Sequence, residues 1–331
     1  MSLEVKPKIS VLLVVLNEEK YIKSALESVY NQTISTKDIE LIIVDGGSID
    51  NTTSICSSFK KEYYADFYEI KLLTNPKKLL ASGWNMGILQ SQSDYVVRFD
   101  GHSTLAPDYI ENGLLELESI EPTVVCVGGW MEHHSDTRFG KFASIFYTSI
   151  IGGGSAAFRR KPKQLVKSDT ALFAIYRKHE LINIGLFNES LERNQDIDLH
   201  KRFKASGLSF CTSPRMRVSY FVRATLTQFL KKAYKDGFWV GASKGYLFRH
   251  LVPFFFSIYV FILLTTMFFS LNTILLLLLS TPILVYFFTI LSDLLKNGKT
   301  LTESMLSTLL FFSYHMCYGI GTLSGLIRSL K

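Results

Sequence analysis

Along the chain the apolar positions change character once. Up to about residue 245 they come in short runs separated by charged and turn residues, and beyond it Leu, Phe, Ile and Val dominate. Residues 9–16 form an apolar run rich in β-branched side chains, followed by Asn17-Glu18-Glu19, which predicts a buried strand ending at a helix start. A helix through Ala25, Leu26 and Val29 comes next. Strands are expected at 40–44, 66–73 and 95–99 and a helix at 79–89, with Asp45-Gly46-Gly47-Ser48 and Asp100-Gly101-His102 as the turns that close two of the strands. This alternation predicts an α/β domain with a mostly parallel sheet. In such sheets ligands bind beyond the carboxyl ends of the strands, where Asn17, Asp45 and Asp100 stand.

The middle of the chain is less regular. Residues 138–167 carry seven basic residues and no acidic one, around an apolar stretch and Gly152-Gly153-Gly154, and are expected to form a mobile basic segment. A strand at 171–176, a helix at about 196–205 and an amphipathic helix at 225–238 are expected next. Three hydrophobic stretches close the chain, at 251–270, 274–291 and 305–327, each near the roughly 20 residues that span a bilayer core. Only Leu271-Asn272-Thr273 separates the first two, which predicts a tight helical hairpin. The third contains Tyr314, His315, Tyr318 and several glycines, so it suits either a full span or an interfacial segment. The expected organisation is an α/β domain over 1–245 and a membrane region over 246–331 with two to three transmembrane helices.

Composition sharpens this picture. Of 331 residues 47% are hydrophobic, and the mean hydropathy of +0.19 is high for a soluble protein. The net charge is +7, but the basic residues crowd the approach to the first apolar stretch, among them Arg223, Lys231, Lys232, Lys235, Lys244 and Arg249. That distribution points to membrane lipids and away from nucleic acid. Lys296 and Lys299 lie between the second and third stretches, which puts both basic flanks on the cytoplasmic side. The polar first eight residues lack the apolar core of a signal peptide, so a multi-pass protein with its α/β domain in the cytoplasm is expected. Cys56, Cys126, Cys211 and Cys317 are too scattered for a metal site and read as reduced thiols.

Asp45, at a strand end before Gly-Gly-Ser, suits the ribose or base edge of a nucleotide, and equally a plain turn, with Asp50 capping the next helix. Asp100 and His102, two residues apart on a strand-ending loop, can both ligate one divalent cation that neutralises a diphosphate. The imidazole favours Mn2+ over Mg2+. The same pair also suits a turn aspartate beside a surface histidine. Glu132, His133, His134 and Asp136 read as a polar turn, because neighbours on a strand point to opposite faces. Asp196, at a helix start, suits a general base for an acceptor hydroxyl or a helix N-cap. Gly152-Gly153-Gly154 lacks the spacing of a dinucleotide loop, and Gly298-Lys299-Thr300 lacks the leading glycine of a phosphate loop. Arg159, Arg160 and Lys161 are expected on the acceptor side, against the diphosphate of a lipid-linked acceptor.

These pieces, in order, resemble glycosyltransferase family 2, and within it the succinoglycan-type chain-elongating enzymes. The resemblance runs over about residues 9–245. It is carried by Val14-Val15-Leu16-Asn17-Glu18-Glu19, Ile43-Val44-Asp45-Gly46-Gly47-Ser48-Ile49-Asp50, Arg98-Phe99-Asp100-Gly101-His102, Val127-Gly128-Gly129 and Gly185-Leu186-Phe187-Asn188-Glu189. It implies a GT-A fold, a UDP-type nucleotide-sugar donor and inversion at the anomeric carbon. It further implies that Asn17, Glu19, Asp45 and Asp100 lie near the nucleotide sugar, Asp100 and His102 at the metal, and Asp196 as base. The family's DxD is DxH here, its Glu-Asp pair is Gln195-Asp196, and there is no QxxRW, which argues against a processive synthase. The acceptor this implies is a lipid-linked saccharide. The alternatives are transfer to a polyprenyl phosphate, and an inactive nucleotide-binding membrane adaptor.

Overall fold

A computed structural model describes residues 6–153, 156–222, 225–243, 248–269 and 272–330. Gly154, Arg223, Lys244, the 245/246 boundary, the expected end of the first span at Ser270 and the turn residue Leu271 lie outside them. The chain divides into two compact units, Met1–His134 with Ser155–Phe221, and Ser135–Gly154 with Val222–Lys331.

In chain order the elements are β1 (Ile9–Val15), α1 (Ile22–Tyr30), β2 (Ile39–Asp45), α2 (Thr52–Tyr63), β3 (Glu69–Thr74), α3 (Leu80–Gln90), β4 (Tyr95–Asp100), β5 (Ser103–Leu105), α4 (Tyr109–Ser119), β6 (Val124–His134), α5 (Arg138–Thr148), α6 (Ile150–Gly153), β7 (Val166–Lys167), β8 (Leu172–Arg177), α7 (Lys178–Asn183), α8 (Gln195–Ala205), β9 (Ser209–Phe221), α9 (Leu226–Ser243), α10 (Val252–Phe269), α11 (Thr273–Lys296) and α12 (Leu301–Ser329).

The first unit is an α/β domain around one mixed sheet, ordered β3-β2-β1-β4-β8-β6-β9-β5 with β7 paired to β9. The run that begins the chain is apolar at consecutive positions because β1 is buried on both faces. Val11, Leu13 and Val15 pack with Ala25, Leu26 and Val29 of α1, while Leu12 packs with Trp84 and Ile88 of α3 and Leu199 and Phe203 of α8. β1 lies parallel between β2 and β4, with Val15 opposite Asp45 and Val14 opposite Asp100. Three strand ends therefore open on one edge. The expectation of a mostly parallel sheet holds for β1 to β4; β8 pairs antiparallel with both β4 and β6, so the sheet as a whole is mixed. Strand direction depends on the route between distant segments, which local apolar patterning does not carry.

In the second unit residues 138–153 are helical, which corrects the expected mobile segment. Gly140, Ala143, Phe146 and Tyr147 are buried at helical spacing, and the Thr137 hydroxyl caps the helix by accepting from the Gly140 N–H. Phe146 packs on Phe229, Phe311 and Tyr314, with ring centroids 5.3, 4.9 and 4.2 Å away. α9 and α12 touch backbone to backbone. A Cβ added at Gly237 or Gly241 would sit 2.0 or 2.2 Å from the Tyr318 or Thr322 carbonyl, and one at Gly321 or Gly325 would meet the Tyr234 or Phe238 carbonyl at 2.1 or 2.0 Å. Glycines four apart on both helices permit this crossing. Two helices, Phe248–Phe269 and Thr273–Lys296, are long and apolar enough to cross a membrane. α12 is longer, at 29 residues, but turns Ser304, Ser307, Thr308, His315 and Thr322 inward.

Candidate functional site

The β1–α1 and β2–α2 loops are stitched together by the polar residues that end those strands. Asn17 adopts a left-handed backbone, φ 55°. Its side-chain oxygen accepts from the Ile49 N–H at 2.9 Å. Its own N–H donates to the Ser48 hydroxyl at 2.9 Å. Glu19 Oε2 accepts from the Asn51 N–H and side-chain amide, both at 3.0 Å. The buried Asp45 carboxylate accepts from the Ser48 N–H (3.0 Å) and hydroxyl (2.7 Å) and from the Thr53 hydroxyl (2.7 Å). Asp50 accepts from the Thr52 N–H at 3.0 Å, so it does serve the start of α2.

The end of β4 differs. Asp100 is half-buried, and among the described residues its carboxylate has no hydrogen-bond partner. Beside it His102 is anchored at both ring nitrogens: Nδ1 lies 3.1 Å from Glu18 Oε1 and Nε2 2.8 Å from the Tyr220 hydroxyl. An ionised carboxylate only accepts, so Glu18 sets the proton on Nδ1 and leaves the Nε2 lone pair to accept from Tyr220. Burial pushes the imidazole below its ordinary value, against the pull of Asp100. Among the described residues no group of three or more His, Cys, Asp or Glu side chains could hold a metal. Asp100 and His102 are thus two candidate ligands at one strand end, with the His102 Nε2 hydrogen-bonded to the Tyr220 hydroxyl. Register explains the meeting, because Tyr220 of β9 lies opposite both Ser103 and His133.

Asp196 is not the N-cap of α8. Asn194 holds that place, with φ 63°, and Asp196 stands in the first turn, ion-paired to Arg98 of β4 through Oδ1. The guanidinium lies over the Trp84 ring at 3.8 Å from the centroid and near Phe187 at 5.2 Å. Asp198 pairs with Arg202 at 3.0 Å.

Arg159 sits at the end of a one-turn helix, Ala157–Arg159. Its charge, after burial, helps to push His133 down to about 3, which locates it beside β6. His133 packs edge-on to Tyr220, centroids 5.9 Å apart, and Tyr220 to His102 at 4.8 Å. Arg160 is half-buried and Lys161 exposed. Sequence reasoning missed Tyr220 and Trp84, and took Glu18, Arg98 and Phe187 only as parts of motifs. For Arg98 a signal existed, since it is the one charge inside the apolar run 95–99.

The chain matches the model for glycosyl transferase family 2 over residues 10–183. It is similar to a Methanococcus voltae protein named dolichyl N-acetyl-alpha-D-glucosaminyl phosphate 3-beta-D-2,3-diacetamido-2,3-dideoxy-beta-D-glucuronosyltransferase, at 27% identity over 339 residues and 97% of each chain. It is also similar to succinoglycan biosynthesis protein ExoA of Rhizobium meliloti (strain 1021), at 24% identity over 72% of this chain and 70% of that one. Among solved structures, mannosyltransferase PcManGT from Pyrobaculum calidifontis, in complex with GDP-Man and Mn2+, superposes with a TM-score of 0.65 over 97% of this chain and 88% of its own, at 15% identity. A fragment of S. aureus TarS in complex with UDP-GlcNAc gives 0.52 at 16% identity, over 69% of this chain and 64% of that fragment. The structural likeness shows a GT-A-like fold. With its family matched over more than half of its length, the chain belongs to glycosyl transferase family 2 and is a glycosyltransferase.

Proposed function

We propose that the chain is an inverting, metal-dependent enzyme that moves a sugar from a UDP-type donor to a hydroxyl of a lipid-linked saccharide in polysaccharide assembly. One observation carries this: β4 bears Arg98 and Asp100 two residues apart, hence on one face, the first paired to Asp196 and the second beside His102. A candidate base and candidate metal ligands are thereby tied to one strand end.

Asp100 and His102 Nε2 would hold the divalent cation, Mn2+ before Mg2+, which when bound offsets the charge of the leaving nucleoside diphosphate. Asn17, Glu19 and Asp45 shape the nucleotide-sugar pocket by locking two loops to each other. Asp196 takes the proton of the acceptor hydroxyl as that oxygen attacks the anomeric carbon from the face opposite the diphosphate. No protein nucleophile is required. The basic cluster Arg159, Arg160 and Lys161 serves the acceptor's phosphates. A lipid-linked saccharide is supported by the archaeal relative, whose name describes transfer to a dolichyl-phosphate-linked N-acetylglucosamine, and by the two apolar helices. Arg249 at the start of the first, Lys296 at the end of the second and Lys299 after it favour a multi-pass arrangement in a cell membrane, with the catalytic unit in the cytoplasm.

The test is a panel of UDP-, GDP- and dTDP-sugars supplied with Mn2+ to membranes holding the protein, with a lipid-diphosphate saccharide or a polyprenyl phosphate as acceptor. Metal-dependent transfer from a UDP-sugar to the saccharide is expected. Transfer to the polyprenyl phosphate, undiminished in Asp196→Asn, would establish the alternative acceptor, because a phosphate needs no general base.

A further inference from the structure

We propose that Arg98 is a positioning residue for the transfer, aiming the Asp196 carboxylate at the acceptor hydroxyl; this rests on the reading of Asp196 as the base. Arg98 lies in the middle of a buried strand, where a charge is expensive to desolvate and an apolar side chain would complete the core more cheaply. Its guanidinium lies over the Trp84 ring, 3.8 Å from the centroid, with Phe187 at 5.2 Å, and these two rings themselves meet at 4.9 Å. Phe187 is fixed in turn: its backbone exchanges hydrogen bonds with the Asn85 side chain at 2.9 and 3.0 Å. Arg202 donates to the Ile184 and Leu186 carbonyls at 2.6 Å each. The loop that supplies Phe187 is therefore held from both α3 and α8.

The consequence falls on Asp196. One oxygen, Oδ1, is taken by Arg98; among the described residues Oδ2 makes no hydrogen bond, and the side chain is 21% exposed against 6% for Arg98. A carboxylate with one oxygen clamped and the other open takes its proton on the open oxygen, in a plane that the clamp holds, and such orientation is where positioning lowers a barrier. Arg suits this and Lys does not, because only a planar fork can stack and donate at once.

Arg98 also contributes charge. The titratable groups that face it are Tyr176 of β8, Cys126 of β6 and His200 of α8. Burial pushes the Tyr176 hydroxyl and the Cys126 thiol up and the His200 imidazole down to about 3, so all three are neutral near neutral pH. Asp198 is paired with Arg202 and Glu189 with Lys77. Removing the Arg98 charge therefore leaves Asp196 without its compensating cation, and its pKa should rise by about 1–3 units.

The experiment uses the full chain in detergent and two readouts. The first is a pH-difference infrared titration of the isotope-labelled aspartates in wild type, Asp196→Asn, Arg98→Met and Arg98→Lys. The second is turnover against pH with the UDP-, GDP- and dTDP-sugar panel. In Arg98→Met, the carboxylate missing from Asp196→Asn should titrate at least about one unit higher, and the acid limb of turnover should move with it. Arg98→Lys should keep that limb and lose at least tenfold in kcat with KM unchanged, as should Phe187→Leu, which loosens the clamp without touching charge. An unmoved limb in Arg98→Met, or full kcat in both Arg98→Lys and Phe187→Leu, overturns the role of Arg98 while an inactive Asp196→Asn keeps the base. Full turnover in Asp196→Asn overturns both. If Arg98→Met does not fold, the Lys and Leu variants decide.

Discussion

Asp45 and Asp100 end the two strands that flank β1, within one residue of each other in register, yet their surroundings are opposite. Asp45 is buried and accepts three hydrogen bonds from Ser48 and Thr53, three and eight residues ahead. Asp100 is half-buried and unbonded among the described residues, with glycine and then an imidazole after it. An acidic residue closing an apolar strand is the same sequence signal in both, and the next few residues of the chain decide its use. Each has a serine three residues ahead: Ser48 turns its hydroxyl to the Asp45 carboxylate and makes it a loop fastener, whereas Ser103 donates to the Asp100 backbone carbonyl at 2.7 Å and leaves the carboxylate to meet a ligand.

The largest effect that bears on this contrast belongs to the β4 side. Asp196→Asn should lower kcat by about 10²–10⁴ with donor KM little changed, measured under saturating donor and acceptor. Near-normal kcat would move the proton acceptor elsewhere. On the β2 side the expected loss is in stability. Asp45→Ala strands the part-buried Ser48 N–H and the Ser48 and Thr53 hydroxyls and should cost about 1–3 kcal/mol, read as a lower midpoint of chemical unfolding. A variant that unfolds like wild type while losing donor binding would make Asp45 a ligand contact after all.

A third expectation concerns acid. Burial holds the His200 imidazole at about 3, against its ordinary 6.5. Below about pH 6.5 the unfolded chain takes up a proton there that the folded chain refuses until about pH 3, so stability is fully present above this window and falls through it. The thermal midpoint should drop between about pH 7 and pH 4, and His200→Phe should flatten the drop. An unchanged slope would assign the loss to other groups. The smallest effect belongs to the basic cluster: replacing Arg159, Arg160 and Lys161 with Gln should raise acceptor KM several-fold, with donor KM unmoved. A raised donor KM would instead attach the cluster to the nucleotide diphosphate.

Much of the first unit was legible. β1, β2, β4 and α8 announce themselves through continuous apolar runs or periodic spacing, and the residues at their ends are read off directly. What pairs with what was not legible. Glu18 and Tyr220 are far apart in sequence and meet on His102 only because β9 returns alongside β5 and β6. Arg98 reads as a misplaced charge until α8 and the loop at Phe187 close around it. In 138–153 the one-signed charge and the glycines masked a helical face built on Ala143, Phe146 and Tyr147. The two apolar helices were plain from composition. The fit of α9 against α12 was not, since glycine spacing shows its purpose only against a partner helix.

The most direct test of the contrast is binding of UDP, GDP and dTDP to the full chain by calorimetry, with and without Mn2+, in wild type and Asp100→Asn. If the end of β4 holds the metal and diphosphate, Mn2+ should tighten UDP binding by at least about tenfold, roughly 1.4 kcal/mol. Asp100→Asn should abolish that gain and leave metal-free binding in place. An Mn2+ gain of the same size in Asp100→Asn would contradict the account and return the strand-end carboxylates to equal standing.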